Sequence, residues 1–481
     1  MKRILLFVLA LVIILCILFR HPVIKEQPIS ILSFNDLTKL SKGAKLDHFL
    51  YTKLKKQLNT PYVVNQAPTP HFSAPYIRLA QWNIERGNNL NAIKNIFSNH
   101  SAYYYNYKNN IDAGQEDKFK KEAKDFANSD IISLNEVDIG VPRTEYRNVI
   151  SEIANTLNYN YAFATEFLEL APLVYKQKVN SGQFLGLHGN AILSKYPIIS
   201  TRVIRLPQCY NWFDAEISRK SPLEHGRRFG AKAIFKVRIN NEPRRGGRNA
   251  LISDIKLPDN EIITVVSTHL EDRCFPSCRL RQIKYLLDNL KYLRRSVVIA
   301  GDFNTTTTDT APTSVKKEIT KRIKDPNFIA RQAAFFLIPG FQFGVGSLAA
   351  ATVRGALHYK DPAALSIPIL FPNEERKLFM YLKDFQFADG ENFDFSGDLK
   401  RSSNGKRGLL ASSNERQLKG FESTFRLAKP MGIAYYKLDW FFVKPKRGRF
   451  LPFNGKTLQL VNEAYPGRVS DHSPITVDLS L

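Results

Sequence analysis

Five apolar runs of strand length are bounded by polar residues: YIRLAQWN at 76 to 83, DIISLNE at 130 to 136, EIITVVSTH at 261 to 269, SVVIAGDFN at 296 to 304 and LDWFFV at 438 to 443. Their β-branched and aromatic content predicts strands, so each polar cluster falls at a strand terminus. Between them the apolar period changes. Phe119, Ala123 and Phe126, then Ile150, Ile153, Ala154 and Leu157, then Leu280, Ile283, Leu286, Leu287 and Leu290 recur at helical spacing, which predicts three helices with one apolar face each. Strands in several runs with helices among them imply an α/β protein in which two sheets pack face to face under helices.

The strand ends carry the candidate chemistry. Seven polar clusters follow in order: QWNIERG at 81 to 87, LNEVD at 134 to 138, HGNAILSKYP at 188 to 197, STHLED at 267 to 272, AGDFNT at 300 to 305, LDWFFV at 438 to 443 and SDHSPI at 470 to 475. Side chains two apart share a face of a strand. Asn83 with Glu85, Glu136 with Asp138, and Asp302 with Asn304 are therefore expected as same-face pairs that converge oxygens from several strands. Such oxygens suit a hard cation, Mg²⁺ or Mn²⁺. No Cys/His spacing of the zinc type occurs. Any one cluster has the composition of an ordinary strand-to-loop turn, and His269 or His472 alone would read as a core or surface histidine. Turn statistics do not produce all seven in this order.

The order and spelling resemble the endonuclease/exonuclease/phosphatase superfamily. The resemblance implies a four-layer α/β sandwich, with two mixed β-sheets face to face and helices outside, and metal-dependent hydrolysis of phosphate esters. Position by position it implies Asn83, Glu85, Glu136 and Asp471 around the metal, with Glu136 the principal ligand. It implies Asp302 and Asn304 orienting the attacking water and holding the scissile phosphate. His472, oriented by Asp439, is implied as general base or stabiliser of the transition state, and His269 as a donor to a phosphate oxygen. Asn190 and Arg143 are expected to contact substrate phosphate, Arg143 because guanidinium meets phosphate in a fork; its alternative is a solvated loop arginine. The implied reaction is in-line attack of water on phosphorus. YYKLDWFFV departs from the inositol phosphatase signature, which favours a nuclease or a sphingomyelinase-like phospholipase over a phosphoinositide phosphatase. A silent relative that only binds phosphorylated ligands tends to lose these groups, yet Glu136, Asp302, Asn304, Asp471 and His472 are all present.

Length and charge refine the picture. The clusters span 81 to 475 of 481 residues, which suggests one catalytic domain over 76–481 with an insertion at about 306–423. The insertion holds an apolar stretch from Phe328 to Leu357, expected as core or else as a hydrophobic lid or membrane-contacting loop beside the site, and a polar stretch from Ala388 to Gly420, expected as a mobile loop. Residues 1–21 contain an uncharged apolar run from Ile4 to Phe19 behind Lys2 and Arg3. This reads as a signal anchor that exports the catalytic domain and tethers it to the membrane, or alternatively as a cleaved signal that releases it to the periplasm or the medium. Residues 22–75 read as a tether with one short helix. A formal net charge of +25 points to an anionic partner, with nucleic acid favoured and a phospholipid surface as the alternative. A monomer is expected. Cys274 and Cys278 are either bridged or free, and Cys209 has no evident partner.

Overall fold

A computed structural model describes residues 28–43, 46–218, 242–305, 375–394, 424–426, 435–436 and 438–481 of the chain. Strands are numbered in chain order. The larger sheet contains β1 (Tyr62–Val64), β2 (Tyr76–Arg86), β3 (Ile131–Ile139), β4 (Asn160–Glu169), β5 (Leu187–Ser194), β7 (Arg244–Gly246), β14 (Pro452–Thr457) and β15 (Ile475–Ser480). The smaller contains β6 (Ile198–Arg205), β8 (Asn249–Lys256), β9 (Ile262–His269), β10 (Ser296–Asp302) and β13 (Asp439–Lys444). Their orders are β1-β4-β5-β3-β2-β15-β14, with β7 on β4, and β13-β10-β9-β8-β6. A short ladder of β11 (Phe425–Arg426) and β12 (Tyr435–Tyr436) stands apart. Both sheets are mixed, with β2 parallel to β3 and β9 parallel to β10.

The period-two pattern explains the layering, because successive residues of a strand feed different cores. Along β10, Val298 and Ala300 join the core between the sheets, whereas Val297 and Ile299 join a core beneath the helices Pro276–Leu290 and Arg376–Asp384, with Leu286, Leu287 and Phe379. Along β2, Ile77 and Leu79 face the inter-sheet core, and Trp82 and Ile84 face a third core with Phe119, Phe126 and Ile153. Three apolar layers between four structural layers give the helix–sheet–sheet–helix sandwich. All three expected helices are present, as Glu116–Ala127, Val149–Leu157 and Pro276–Leu290.

The tether reading of residues 22–75 needs correction from residue 28 onward. Helices Phe34–Ser41 and His48–Asn59 bury Leu37, Leu40, Leu50 and Leu54 in the core of the larger sheet. β1 then pairs with β4, and the Gln57 amide donates to Ile29 O and Thr165 Oγ1. These short helices are mostly polar around a narrow apolar stripe, so composition alone gives little sign that they dock. The polar stretch after Ala388 is anchored at its start: the Ala388 N–H donates to Lys291 O, the Asp394 N–H to Val443 O, and Phe393 is buried. The apolar N-terminal run and the stretch Phe328 to Leu357 lie outside the described residues. Among the described residues no helix is long and apolar enough to cross a membrane.

Candidate active site

The ends of the central strands of both sheets meet at one place. In the smaller sheet, Asp302 at the end of β10 lies in register with His269 at the end of β9 and with Asp439 at the start of β13. Two motif glycines allow the strands to meet there: a Cβ on Gly301 would lie 1.7 Å from Thr268 O, and one on Gly189 would lie 1.9 Å from Ala164 O. From the other sheet, the turn before β15 supplies Asp471 and His472, and is pinned by the Trp82 indole N–H donating to His472 O at 2.8 Å.

Around Asp302 the geometry is dense. Its Oδ2 accepts from Asn83 Nδ2 at 3.1 Å and stands 3.4 Å from His269 Nε2 and 3.6 Å from His472 Nε2. The Asn304 N–H donates to its Oδ1 at 2.9 Å, and the Asn304 side-chain amide donates to Leu270 O. His472 Nδ1 is 2.7 Å from Asp439 Oδ2, and Gln81 Nε2 donates to the other Asp439 oxygen. Burial would lower the His472 imidazole, but Asp439 and Asp302 raise it to about 10. Burial pushes the Asp302 carboxyl up to about 7, with His472 opposing and Asp439 reinforcing. His269 is held well below the usual imidazole range by burial, then by Arg248, His188 and His472.

The second group of oxygens comes from the larger sheet, and the strands break period there. The β2–β3 register slips between Asn83 and Arg86, and the β3–β5 register between Leu134 and Val137. Glu85, Arg86, Glu136 and Asn304 take positive φ of 47°, 69°, 55° and 48°, a left-handed backbone that costs energy outside glycine and clusters at functional sites. The bulges overturn one expected same-face pair. Asn83 Nδ2 donates to Glu136 Oε1 at 3.3 Å, but Asp138 turns to His188 Nδ1 at 2.7 Å and to Arg143. Burial would raise the Glu136 carboxyl; Arg86 chiefly, then His188 and His472, hold it below its ordinary value. Asp471 is pushed up to about 6 by burial and by the carboxylates of Glu85 and Glu136, with His472 opposing. Mutual repulsion among three acidic groups in an all-oxygen donor set is what a divalent cation would relieve. The ligand atoms of Asp302, Asp439 and His472 also lie within 4.8 Å of one another and could hold an ion, although His472 and Asp439 already satisfy each other through Nδ1.

Two expected phosphate contacts are placed otherwise. Asn190 is fully buried; its oxygen accepts from Asn135 at 2.7 Å and its amide donates to Glu166 and Asn249. It braces the site from beneath, since Asn135 Oδ1 in turn accepts from the Asp302 N–H. Arg143 is partly exposed, but its guanidinium is engaged by carboxylates: it forks onto Asp138 at 2.6 and 3.0 Å and pairs with Glu169 and Glu242. Gln81 and Asn135 stood inside the motif clusters without an assigned role, and a polar residue inside a buried strand was the available signal. Glu166, Arg248 and Glu242 had none, because their partners are distant in sequence.

The cysteines also differ from expectation. Cys209 and Cys278 form the disulfide, and Cys274 is free. Spacing four apart brought Cys274 and Cys278 together on paper, but Cys209, between β6 and helix Trp212–Ser218, reaches the start of helix Pro276–Leu290 through the tertiary fold.

A buried His–Asp pair and a second histidine thus face one carboxylate, with the acidic groups of Glu85, Glu136 and Asp471 nearby. The chain belongs to the endonuclease/exonuclease/phosphatase family, whose model matches residues 80–472. Members of that family hydrolyse phosphate esters, usually with a divalent metal. Among solved structures, the chain is similar to an endonuclease/exonuclease/phosphatase from Beutenbergia cavernae DSM 12333 at 14% identity and TM-score 0.38, covering 84% of this chain and 72% of that one. It is similar to the human Nocturnin catalytic domain with bound sulfate at 12% and 0.39, covering 88% and 97%, and to beta toxin from Staphylococcus aureus at 12% and 0.33, covering 83% and 99%. No curated protein matches the chain significantly.

Proposed function

We propose that this chain is a Mg²⁺- or Mn²⁺-dependent phosphodiester hydrolase of endonuclease type, exported and held at a membrane by its N-terminal segment, and acting as a monomer. The observation that carries the reading is the convergence of His269, His472 and the Asn83 amide on one buried carboxylate, Asp302. Asp302, raised toward neutrality, suits the task of taking a proton from water. The water oxygen bonds to phosphorus, its proton passes to Asp302, and the bond to the leaving oxygen breaks as that oxygen takes a proton from solvent. His472, kept protonated by Asp439, and His269 supply donors to the phosphate oxygens on which charge accumulates. Glu136, Glu85, Asp471 and Asn83 would hold the metal, which supplies Lewis-acid stabilisation of that charge.

A net charge of +25 supports a polyanionic substrate bound largely through phosphates, and hence binding that weakens steeply with salt. Export rests on the apolar run behind Lys2 and Arg3, and an intramolecular disulfide is a feature that oxidising compartments favour. The full-length protein with Mg²⁺ should nick supercoiled plasmid in an assay run beside single-stranded RNA and vesicles of sphingomyelin or phosphatidylinositol phosphate. Head-group release with intact plasmid would assign the chain to the phospholipid reading instead. Protease accessibility on intact cells should find the catalytic domain outside the cytoplasm and retained on membranes; full-length protein in a soluble cytoplasmic fraction would reverse that placement.

A further inference from the structure

His269 is buried with both ring nitrogens engaged. Nε2 faces Asp302 Oδ2 at 3.4 Å, and Nδ1 lies 2.8 Å from Arg248 Nη1. A guanidinium has five N–H donors, no acceptor and no accessible neutral form. Three of its five hydrogens have partners, and the buried Nε has none. Nη1 has two, of which one goes to Glu166 Oε2 at 3.2 Å and the other points to His269. Nη2 donates to Asp272 Oδ1 at 3.1 Å. Glu166, the other candidate partner for Nδ1, is 3.8 Å from it, outside hydrogen-bond range. A hydrogen on Nδ1 would therefore meet a guanidinium hydrogen head on and find no acceptor.

We propose that Arg248 is a positioning residue that fixes His269 as the neutral tautomer with its lone pair on Nδ1 and its proton on Nε2, directed toward Asp302 and the phosphate. This deepens the phosphohydrolase reading above and rests on it for the consequence, though not for the tautomer itself. His269 is thereby a permanent hydrogen-bond donor at the reacting centre and cannot act as its base. The fixing group is a cation donating to the ring; the more usual arrangement is a carboxylate or carbonyl accepting from it. A histidine held in the wrong tautomer can cost up to about 10⁴ in turnover.

The test is nitrogen NMR on the full-length, metal-free protein labelled with ¹⁵N-histidine, with the His269 signals identified by their loss in His269→Gln. In the wild type, Nδ1 should show the shift of an unprotonated ring nitrogen and Nε2 that of a protonated one. A protonated Nδ1 in the folded wild type would overturn the proposal with no variant needed. Arg248→Gln offers an amide oxygen to Nδ1 and should populate the other tautomer, lowering kcat by about tenfold or more with a smaller change in KM. Arg248→Lys, again a pure donor, should keep the wild-type tautomer and recover most of the turnover. An unchanged tautomer in folded Arg248→Gln would also overturn it. If the wild type has the inferred tautomer but cleaves no phosphoester, the functional reading fails and the assignment of Arg248 stands.

Discussion

Asp302 and Asp439 sit directly opposite one another on neighbouring antiparallel strands, and His472 bridges them, with Nδ1 at 2.7 Å from Asp439 and Nε2 at 3.6 Å from Asp302. One imidazole between two buried carboxylates is a strong device for keeping a proton in place. The arrangement distinguishes the two acids by their surroundings: Asp439 is hydrogen-bonded to the ring, and Asp302 also meets His269 and Asn83.

The roles can be separated by substitution. His472→Ala and Asp302→Asn should each lower turnover by about a hundredfold or more, the usual worth of acid–base groups, while thermal unfolding shows a folded protein. Asp439→Asn should lower kcat to a similar extent with KM little changed, because it leaves the ring without its orienting charge. Turnover within a few fold of wild type in all three would remove this triad from the chemistry.

Metal removal should abolish activity. Exhaustive chelation followed by dialysis should leave no hydrolysis of a phosphodiester substrate, and Mg²⁺ or Mn²⁺ should restore it. Glu136→Gln should weaken that restoration so that more metal is needed for half-maximal rate. Activity that survives chelation would exclude the metal-assisted scheme.

The disulfide gives a discriminating stability experiment. Cys209→Ser should destabilise the oxidised protein by about 2–4 kcal/mol, the usual contribution of a bridge closing a long loop. Cys274→Ser should be close to neutral. The reverse ranking in denaturant unfolding would favour a Cys274–Cys278 bridge.

The segment before β1 should prove part of the fold. Leu40→Ala or Leu37→Ala, both fully buried, should cost about 2–5 kcal/mol, and a chain begun at residue 76 should be unstable or insoluble. A truncated protein with the wild-type melting temperature would return this segment to the status of a tether.

A pH test falls on Glu122, which lies away from the site. Burial pushes its carboxyl up to about 7, against Lys118 and the N–H groups of Leu460 and Val461. A carboxyl raised in the folded state contributes stability below its unfolded value near 4.5 that is lost as pH rises through about 7. Glu122→Gln should therefore flatten the decline of stability between those limits. An identical pH–stability curve for the variant and the wild type would show that burial does not raise this group.

The fold and most of the centre were legible because strands buried on both faces spell near-continuous apolar runs, so the polar residues ending them stand out. Asn83, Glu136, His269, Asp302, Asp439 and His472 were readable for that reason. What was not legible depends on contacts between distant parts of the chain. Arg143 looked like a phosphate clamp until Glu242 appeared beside it, and Asn190 until Asn249 and Glu166 did. Period-two reasoning also fails at a bulge, which is why Asp138 left the face expected for Glu136.

The pairing of β2 with β15 has a consequence for biosynthesis. Asn83 and Glu136 emerge from the ribosome early, whereas Asp471 and His472 arrive with the strand that must slot in beside β2. Until then β2 keeps an open edge, the indole of Trp82 lacks the carbonyl that anchors the last turn, and Asp302 lacks one of its two imidazoles. A chain without this last strand therefore lacks part of the candidate site. The cluster around Asp302 is complete only when this final closure is made.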